Sequence, residues 1–265
     1  MKRKHLQKIV AFSAIMVSIL LLLGAIAIPV TNVVFNNLEL GTAADLLNSQ
    51  SLVVSHLKSK YNGKLSLSIS LSKHKLISSP NISQGTHNYY YKAKTGISVN
   101  GTCSEIATTL LIRSHGRDGR NSSYETFKTV MDVAIYNAYW TTDGTSGSVI
   151  DNLVTKSFFA TGSSKRGNND YVSIYNTLTK NIDDGYTTIL SVISHSMHAV
   201  GYAYYTVTYK TKFLFITTST TKEEKFVIVN DGWKDATDNL NNDQYSYYPE
   251  SSFSYSEFVL TKVKI

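Results

Sequence analysis

The chain has one cysteine, Cys103, in Asn100-Gly101-Thr102-Cys103-Ser104-Glu105-Ile106-Ala107, a turn of small residues that opens into a helix-like stretch. Ninety-two residues later comes His195-Ser196-Met197-His198-Ala199-Val200-Gly201-Tyr202. Asp231 follows His195 by thirty-six residues, in Asn230-Asp231-Gly232-Trp233 behind the apolar run Phe226-Val227-Ile228-Val229. A thiol at a helix start, an imidazole on a strand and an Asn or Asp on a later strand are the parts of a cysteine-nucleophile site. The thiolate attacks, the imidazole moves the proton, and the third group holds the imidazole. A helix start suits the thiol because the positive end of the dipole and a nearby imidazolium both favour the thiolate. Its first backbone N–H groups also point at a developing oxyanion.

Two choices stay open on the residues alone. His195 and His198 are three apart on an expected strand, so they face opposite sides and only one can meet Cys103. Asn230 and Asp231 are neighbours at a strand end, so again one of them faces the imidazole. Trp233 is placed to shield that contact from water, although Asp-Gly is also a common turn dipeptide. A second oxyanion donor is needed; Asn100 is the nearest candidate and Gln84 a distant one. His195 and His198 do not converge on one ion from a strand, and no Cys or Glu cluster accompanies them, so no metal and no cofactor are expected. His56, His74, His87 and His115 read as surface residues.

These segments resemble a papain-like cysteine peptidase. Gly101-Thr102-Cys103 is similar to that family's Gly-Ser-Cys turn. His195 through Val200-Gly201-Tyr202 is similar to the family's His followed by Val-Gly-Tyr, with the glycine six residues after the His. Asp231-Gly232-Trp233 is similar to its Asn-Ser-Trp; against streptopain-like bacterial relatives, with Asn-x-Gly-Trp, the match is Asn230. The resemblance covers roughly residues 96–264. It implies Cys103 as nucleophile, His195 as general base and acid, Asp231 or Asn230 as orienter, and a peptide or protein substrate. The chain departs from the pattern at Ile97, where the family has its oxyanion Gln, and at Ser104, where it has an aromatic. The family's second, disulfide-forming cysteine is absent.

The elements that must position these residues are legible in outline. Residues 39–60 read as a helix. Leu65, Leu67, Ile69 and Leu71 alternate with serines, the mark of a strand with one buried face. Ser78-Ser79-Pro80-Asn81 breaks it. A helix is expected over Cys103–Ser114, with Ile106, Ala107, Leu110 and Leu111 on one face. Another is expected over Tyr124–Trp140, then a loop over Thr141–Gly147, an ambiguous stretch at Ile150–Phe159 and a short helix over Tyr171–Lys180. From Thr187 the pattern turns to strands: Thr188–Ser194, Ala203–Val207, Lys212–Thr217, Phe226–Val229 and Ser254–Ile265. Helices first and strands later argue α+β; the resemblance implies a helical half carrying the nucleophile, packed on an antiparallel sheet half.

Lys2, Arg3, Lys4 and Lys8 precede an apolar run from Ile9 to Ile28, and no charged residue falls between Lys8 and Glu39. Twenty apolar residues at about 1.5 Å each can cross a hydrocarbon core of about 30 Å, and the basic flank keeps the N-terminus in the cytoplasm. The competing reading is a cleaved signal peptide ending at Ala25-Ile26-Ala27. Either way residues 1–29 send the remainder out of the cytoplasm, secreted or membrane-anchored, in a bacterial-type protein. Residues 30–85 then form an N-terminal extension or prosegment, with an integral part of the sheet as the competing reading, and residues 86–265 the catalytic domain. Four of the 26 basic residues lie in residues 1–29 and none of the 19 acidic ones, which leaves 22 against 19 and a net charge of only +3. That is no footprint for nucleic acid. One cysteine excludes an intramolecular disulfide. Two other functions fit the same segments: an amidase or other acyl transfer on this scaffold, and a catalytically silent domain that binds a partner at the cell surface.

Overall fold

The computed structural model describes residues 30–34, 43–77, 79–80, 82–115, 122–170, 174–192, 194–232, 245–253 and 259–264. The apolar leader and Trp233 lie outside the described residues. Among the described residues no helix is long and apolar enough to cross a membrane.

One long strand organises the molecule. β7 (His195–Phe213) and β8 (Ile216–Asn230) form an antiparallel hairpin that pairs from Phe213↔Ile216 back to His198↔Asn230. On its other edge β7 changes partner part-way along. Its first residues pair with β6 (Tyr186–Val192), Val192↔His195 through Thr188↔Ala199. From Gly201 to Lys210 it pairs with β2 (Ser66–Leu76). Outside β2 lies β1 (Val30–Val34), which pairs with it in parallel. Outside β6 lie β10 (Val259–Lys264) and β5 (Asn168–Asp170), and outside β8 lies β9 (Ser246–Pro249). The change of partner coincides with a bulge between Ala199 and Gly201.

Helices cover both faces of this sheet, giving an α+β molecule. α3 (Cys103–Ser114) is buried along its length, with every residue from Ser104 to Ile112 buried. Ala107 and Leu111 pack with α4 (Ser123–Tyr136), α5 (Ile150–Ala160) and Ile189 of β6. Ile106 and Leu110 pack with Phe127, Met131 and Tyr91, the last on α2 (Gln84–Thr95). The next residue of β6, Leu190, points the other way, to Leu178 and Ile182 of α6 (Ile174–Asp183). The period of two along β6 thus sends alternate residues to two cores. α1 (Ala43–Lys60) covers the far end of the sheet, its Val53 and Leu57 on Ile69, Leu71, Val207 and Phe226.

Several expectations need adjusting. β2, read as lying in an N-terminal extension or as an integral part of the sheet, is hydrogen-bonded into the sheet over ten registered pairs and shares a core with β7. Its alternation is as expected: Leu67, Ile69 and Leu71 are buried and the intervening serines are half-buried. The helix expected to reach Trp140 ends at Tyr136. Ala138 takes φ +53, and the N–H groups of Tyr139 and Ala138 donate to the carbonyls of Ala134 and Ile135. That is a Schellman closure with alanine where glycine is usual, so no glycine announced it. The expected loop over Thr141–Gly147 contains a small hairpin, β3 (Trp140–Thr141) with β4 (Gly144–Thr145). The strand expected over Lys212–Thr217 is interrupted: Lys212-Phe213 ends β7, Ile216-Thr217 opens β8, and Leu214-Phe215 is the turn between them. His87 is 7 % exposed, not a surface residue; its ring contacts the Ser83 carbonyl at 2.8 Å and the Ser123 hydroxyl at 3.2 Å. His74 is half-buried in β2, and burial alone lowers its pKa to about 4.

Candidate active site

Cys103 is the first residue of α3 and is partly exposed, ahead of the buried stretch from Ser104 to Ile112. The N-cap, Thr102, makes no side-chain bond to the first-turn amides, because its hydroxyl donates to Asn88 Oδ1 at 2.7 Å. The first intrahelical bond runs from Ile106 N–H to the Thr102 carbonyl. The N–H groups of Cys103, Ser104 and Glu105 therefore have no partner one helical turn back and form the positive end of the helix.

The helix start is pinned to the sheet by hydroxyls. Ser104 Oγ lies 3.0 Å from Ser196 Oγ and 3.3 Å from the Thr145 carbonyl, which can only accept. Ser196 Oγ is 3.1 Å from Ser191 Oγ on β6. Cys103 and His195 each immediately precede one member of the Ser104–Ser196 pair. Consecutive Cα atoms are 3.8 Å apart, so the backbones of Cys103 and His195 each lie one residue from this contact, although strand alternation turns the side chain of His195 to the face opposite Ser196. The backbone amide of Ser196 also faces the Cys103 thiol. His195 opens β7 after a tight turn that holds Ser194 at φ +64, a costly angle for a residue other than glycine.

The structure separates the two histidines and the two strand-end residues. The Asp231 carboxylate acts electrostatically on His195, favouring its charged form. Asp231 is 8 % exposed and accepts from Ser246 Oγ at 2.9 Å. Gly232 fixes where Asp231 sits. It has φ +71, its carbonyl accepts from Gln84 N–H at 2.8 Å, and a Cβ on it would lie 2.4 Å from Ile106 Cγ2 of α3. The Asp-Gly pair is thus the point where the end of β8 touches α3, the helix that Cys103 opens. Asn230 belongs to a different group. It is the registered partner of His198, and its amide donates to Ser79 Oγ at 3.2 Å and to the Pro80 carbonyl at 2.8 Å. His198 is fully buried with Nδ1 3.0 Å from Ser79 Oγ, and burial lowers its pKa to about 3.

Asn100 is exposed, and its backbone carbonyl accepts from the Trp140 indole at 3.0 Å. Gln84 is far away in sequence but heads α2 beside Gly232.

The electrostatics differ from what a helix start alone implies. Burial pushes the Cys103 thiol up, and the Glu105 charge adds to this; the Ser196 and Ser104 amides oppose it without reversing it. Burial pushes His195 down, against the pull of Asp231. Both shifts favour the neutral forms, the thiol of Cys103 and the uncharged imidazole of His195.

Glu105 is a residue the sequence did not single out. A carboxylate in a first helical turn ordinarily reads as a solvated partner of the dipole. Here its side chain is buried, with one oxygen accepting from Thr145 Oγ1 and Oε2 without a hydrogen-bond partner. Burial raises its pKa from 4.5 to about 7. The folded protein therefore holds this proton where the unfolded chain releases it. The folded state loses stability as pH rises from 4.5 through 7, by roughly 3 kcal/mol in all. Glu105→Gln keeps the shape and removes the ionisation. Urea unfolding at pH 5 and pH 8 is expected to show that loss in the parent chain and a much flatter response in the variant; equal pH responses would refute a buried, titrating Glu105.

No family model, curated protein or solved structure matches the chain.

Proposed function

We propose that the chain is an exported cysteine peptidase of papain-like type that hydrolyses peptide bonds through Cys103, His195 and Asp231. The observation that carries this reading is the junction at Ser104 and Ser196, which brings the start of a buried helix and the start of β7 together, with Asp231 held beside His195 by Ser246 and Gly232. In this reading the neutral His195 takes the Cys103 proton as sulfur attacks the carbonyl carbon. The first-turn amides of α3 receive the charge that develops on the carbonyl oxygen. The imidazolium then gives its proton to the leaving amine, and water attacks the thioester with His195 again as base. Asp231 stabilises the imidazolium at each transfer. The leader, residues 1–29, delivers the domain outside the cytoplasm.

A neutral resting pair has a pH signature. Hydrolysis needs neutral His195, whose pKa lies below its ordinary 6.5, and protonated Cys103, whose pKa lies above its ordinary 9.0. The pH profile of kcat/KM on an unstructured peptide is expected to be a broad bell. Its acid limb lies below pH 6.5, its alkaline limb above pH 9, and both belong to the coupled pair. Iodoacetamide labelling of Cys103 is expected to rise toward alkaline pH and to lag a free cysteine peptide near neutrality. Fast labelling at pH 5–6 that collapses only in His195→Ala would mean a resting ion pair instead. The same burial shifts also favour a second reading, a silent papain-like domain that binds a partner. Absent hydrolysis of any peptide pool, with labelling indifferent to His195→Ala, would select it.

A further inference from the structure

The β7–β8 hairpin carries a second feature, at the end opposite His195. Its turn presents four consecutive large apolar residues to solvent: Phe213 is 70 % exposed, Leu214 46 %, Phe215 95 % and Ile216 66 %. Single exposed hydrophobics are ordinary, but four in a row at the tip of a two-stranded ribbon are not. Local folding does not ask for them. Leu214 is held at φ +53, where glycine, asparagine or aspartate is the low-cost residue in a tight hairpin.

Two further observations say what the tip meets. From Lys210 to Lys222 the ribbon carries three lysines, Lys210, Lys212 and Lys222, and no carboxylate. Lys210 and Lys212 are exposed just behind the apolar tip. This is an apolar wedge with a basic collar, the arrangement that settles into the interface of an anionic bilayer. The sheet register also aligns the tip with the leader. Val30 pairs with Ser66, Ser66 with Lys210, and Lys210 with Ser219. The chain therefore leaves the apolar run Ile9–Ile28 and enters β1 at the level of Lys210, three residues short of Phe213. At about 3.4 Å per residue the tip projects about 10 Å past that level, comparable to the 5–10 Å depth of interfacial insertion.

The geometry points to the Phe213–Ile216 tip as a second membrane contact, dipping into the outer surface of the same anionic bilayer that holds the leader. The inference rests on the reading of residues 1–29 as a retained membrane anchor and not on the chemistry of Cys103. It also orients the candidate site. His195 lies at the other end of β7, eighteen residues from Phe213, so the candidate site sits at the end of the strand away from the lipid-facing tip.

The test uses the full chain in vesicles of three parts phosphatidylcholine to one part phosphatidylglycerol, with bromine on the acyl chains. Phe215→Trp reports the tip, and Tyr136→Trp, on the exposed surface of α4, is the control. Brominated lipid is expected to quench the added Phe215→Trp emission at least two-fold and to leave the added Tyr136→Trp emission unchanged. Lys210→Glu with Lys212→Glu should reduce the tip quenching. Vesicle flotation reads the leader separately. Flotation with no more quenching at Phe215→Trp than at Tyr136→Trp would overturn the tip contact and leave the leader standing. Failure to float would overturn both. A blue shift of Phe215→Trp that depends on protein concentration and ignores lipid would mean that the tip pairs with a second copy, and would also overturn the proposal.

Discussion

His195→Ala is expected to lower kcat/KM by about 10²–10⁴-fold, the usual contribution of a positioned acid–base group, with little change in the urea midpoint. His198→Ala is expected to do the reverse. The contrast follows from where the fold puts two rings three residues apart. His195 opens β7 at the junction with α3 and is under the influence of Asp231. His198 is sealed in the core with Asn230 and Ser79, and its imidazole stays neutral down to about pH 3. Removing the His198 ring empties a packed site and takes the Nδ1 contact from Ser79 Oγ, a cost of about 2–4 kcal/mol. It should also remove an acid sensitivity. A buried neutral imidazole stabilises the fold above pH 6.5, and that contribution is lost as pH falls toward its folded value of about 3. Kinetics on the folded fraction, with urea midpoints at pH 7 and pH 4, separate the two roles. If His198→Ala removes turnover and His195→Ala spares it, the assignment of the base is wrong.

The same two rings show how far the residues could be read in advance. Their spacing fixed that they face opposite sides, because a strand alternates with period two, and the motif ending in Gly201 favoured the first. The helix Cys103–Ser114 was legible to its boundaries because its apolar positions recur at helical steps. Burial of the helix's other face was not legible. Ser104, Glu105, Thr108 and Thr109 are polar, and nothing local says that the sheet and the β3–β4 hairpin will cover them. Thr108 and Thr109 are satisfied by donating one turn back, to the carbonyls of Ser104 and Glu105. The pairing of Asp231 with His195, and of Asn230 with His198, depends on register and on Gly232 meeting Ile106, which are long-range facts. Helix ends and turns failed where an unusual residue takes a positive φ, as Ala138 and Leu214 do, because the expected signal there is glycine. The role of β2 was hidden because an alternating strand announces a buried face but not its partner.

Gly201→Ala is expected to destabilise the fold by about 3 kcal/mol or more, far beyond the ordinary cost of one added methyl. Gly201 lies where β7 hands its edge from β6 to β2, just past the bulge at Ala199. A Cβ there would sit 2.2 Å from the Lys75 carbonyl oxygen and 3.1 Å from Leu76 Cα. The first contact is with backbone, so no side-chain rotation relieves it. Either β2 moves off β7, which breaks the Leu76↔Gly201 register and the neighbouring Ile77 N–H bond to the Val200 carbonyl, or β7 shifts toward β8. Both routes disturb the stretch that sets His195 and His198, so residual activity should fall with stability. Overpacking a core typically costs about 1–3 kcal/mol; a rigid carbonyl places this case at or above the top of that range. Gly85→Ala is the matched control, since a Cβ there meets nothing within 4 Å and the residue lies in α2. It should leave the urea midpoint nearly unchanged or raise it slightly, as alanine favours a helix over glycine by about 1 kcal/mol. If Gly201→Ala unfolds at the midpoint of the parent chain, β2 does not approach β7 as closely as the structure places it. The glycine of the Val-Gly-Tyr segment would then mark neither the edge switch nor the strand that carries the imidazole.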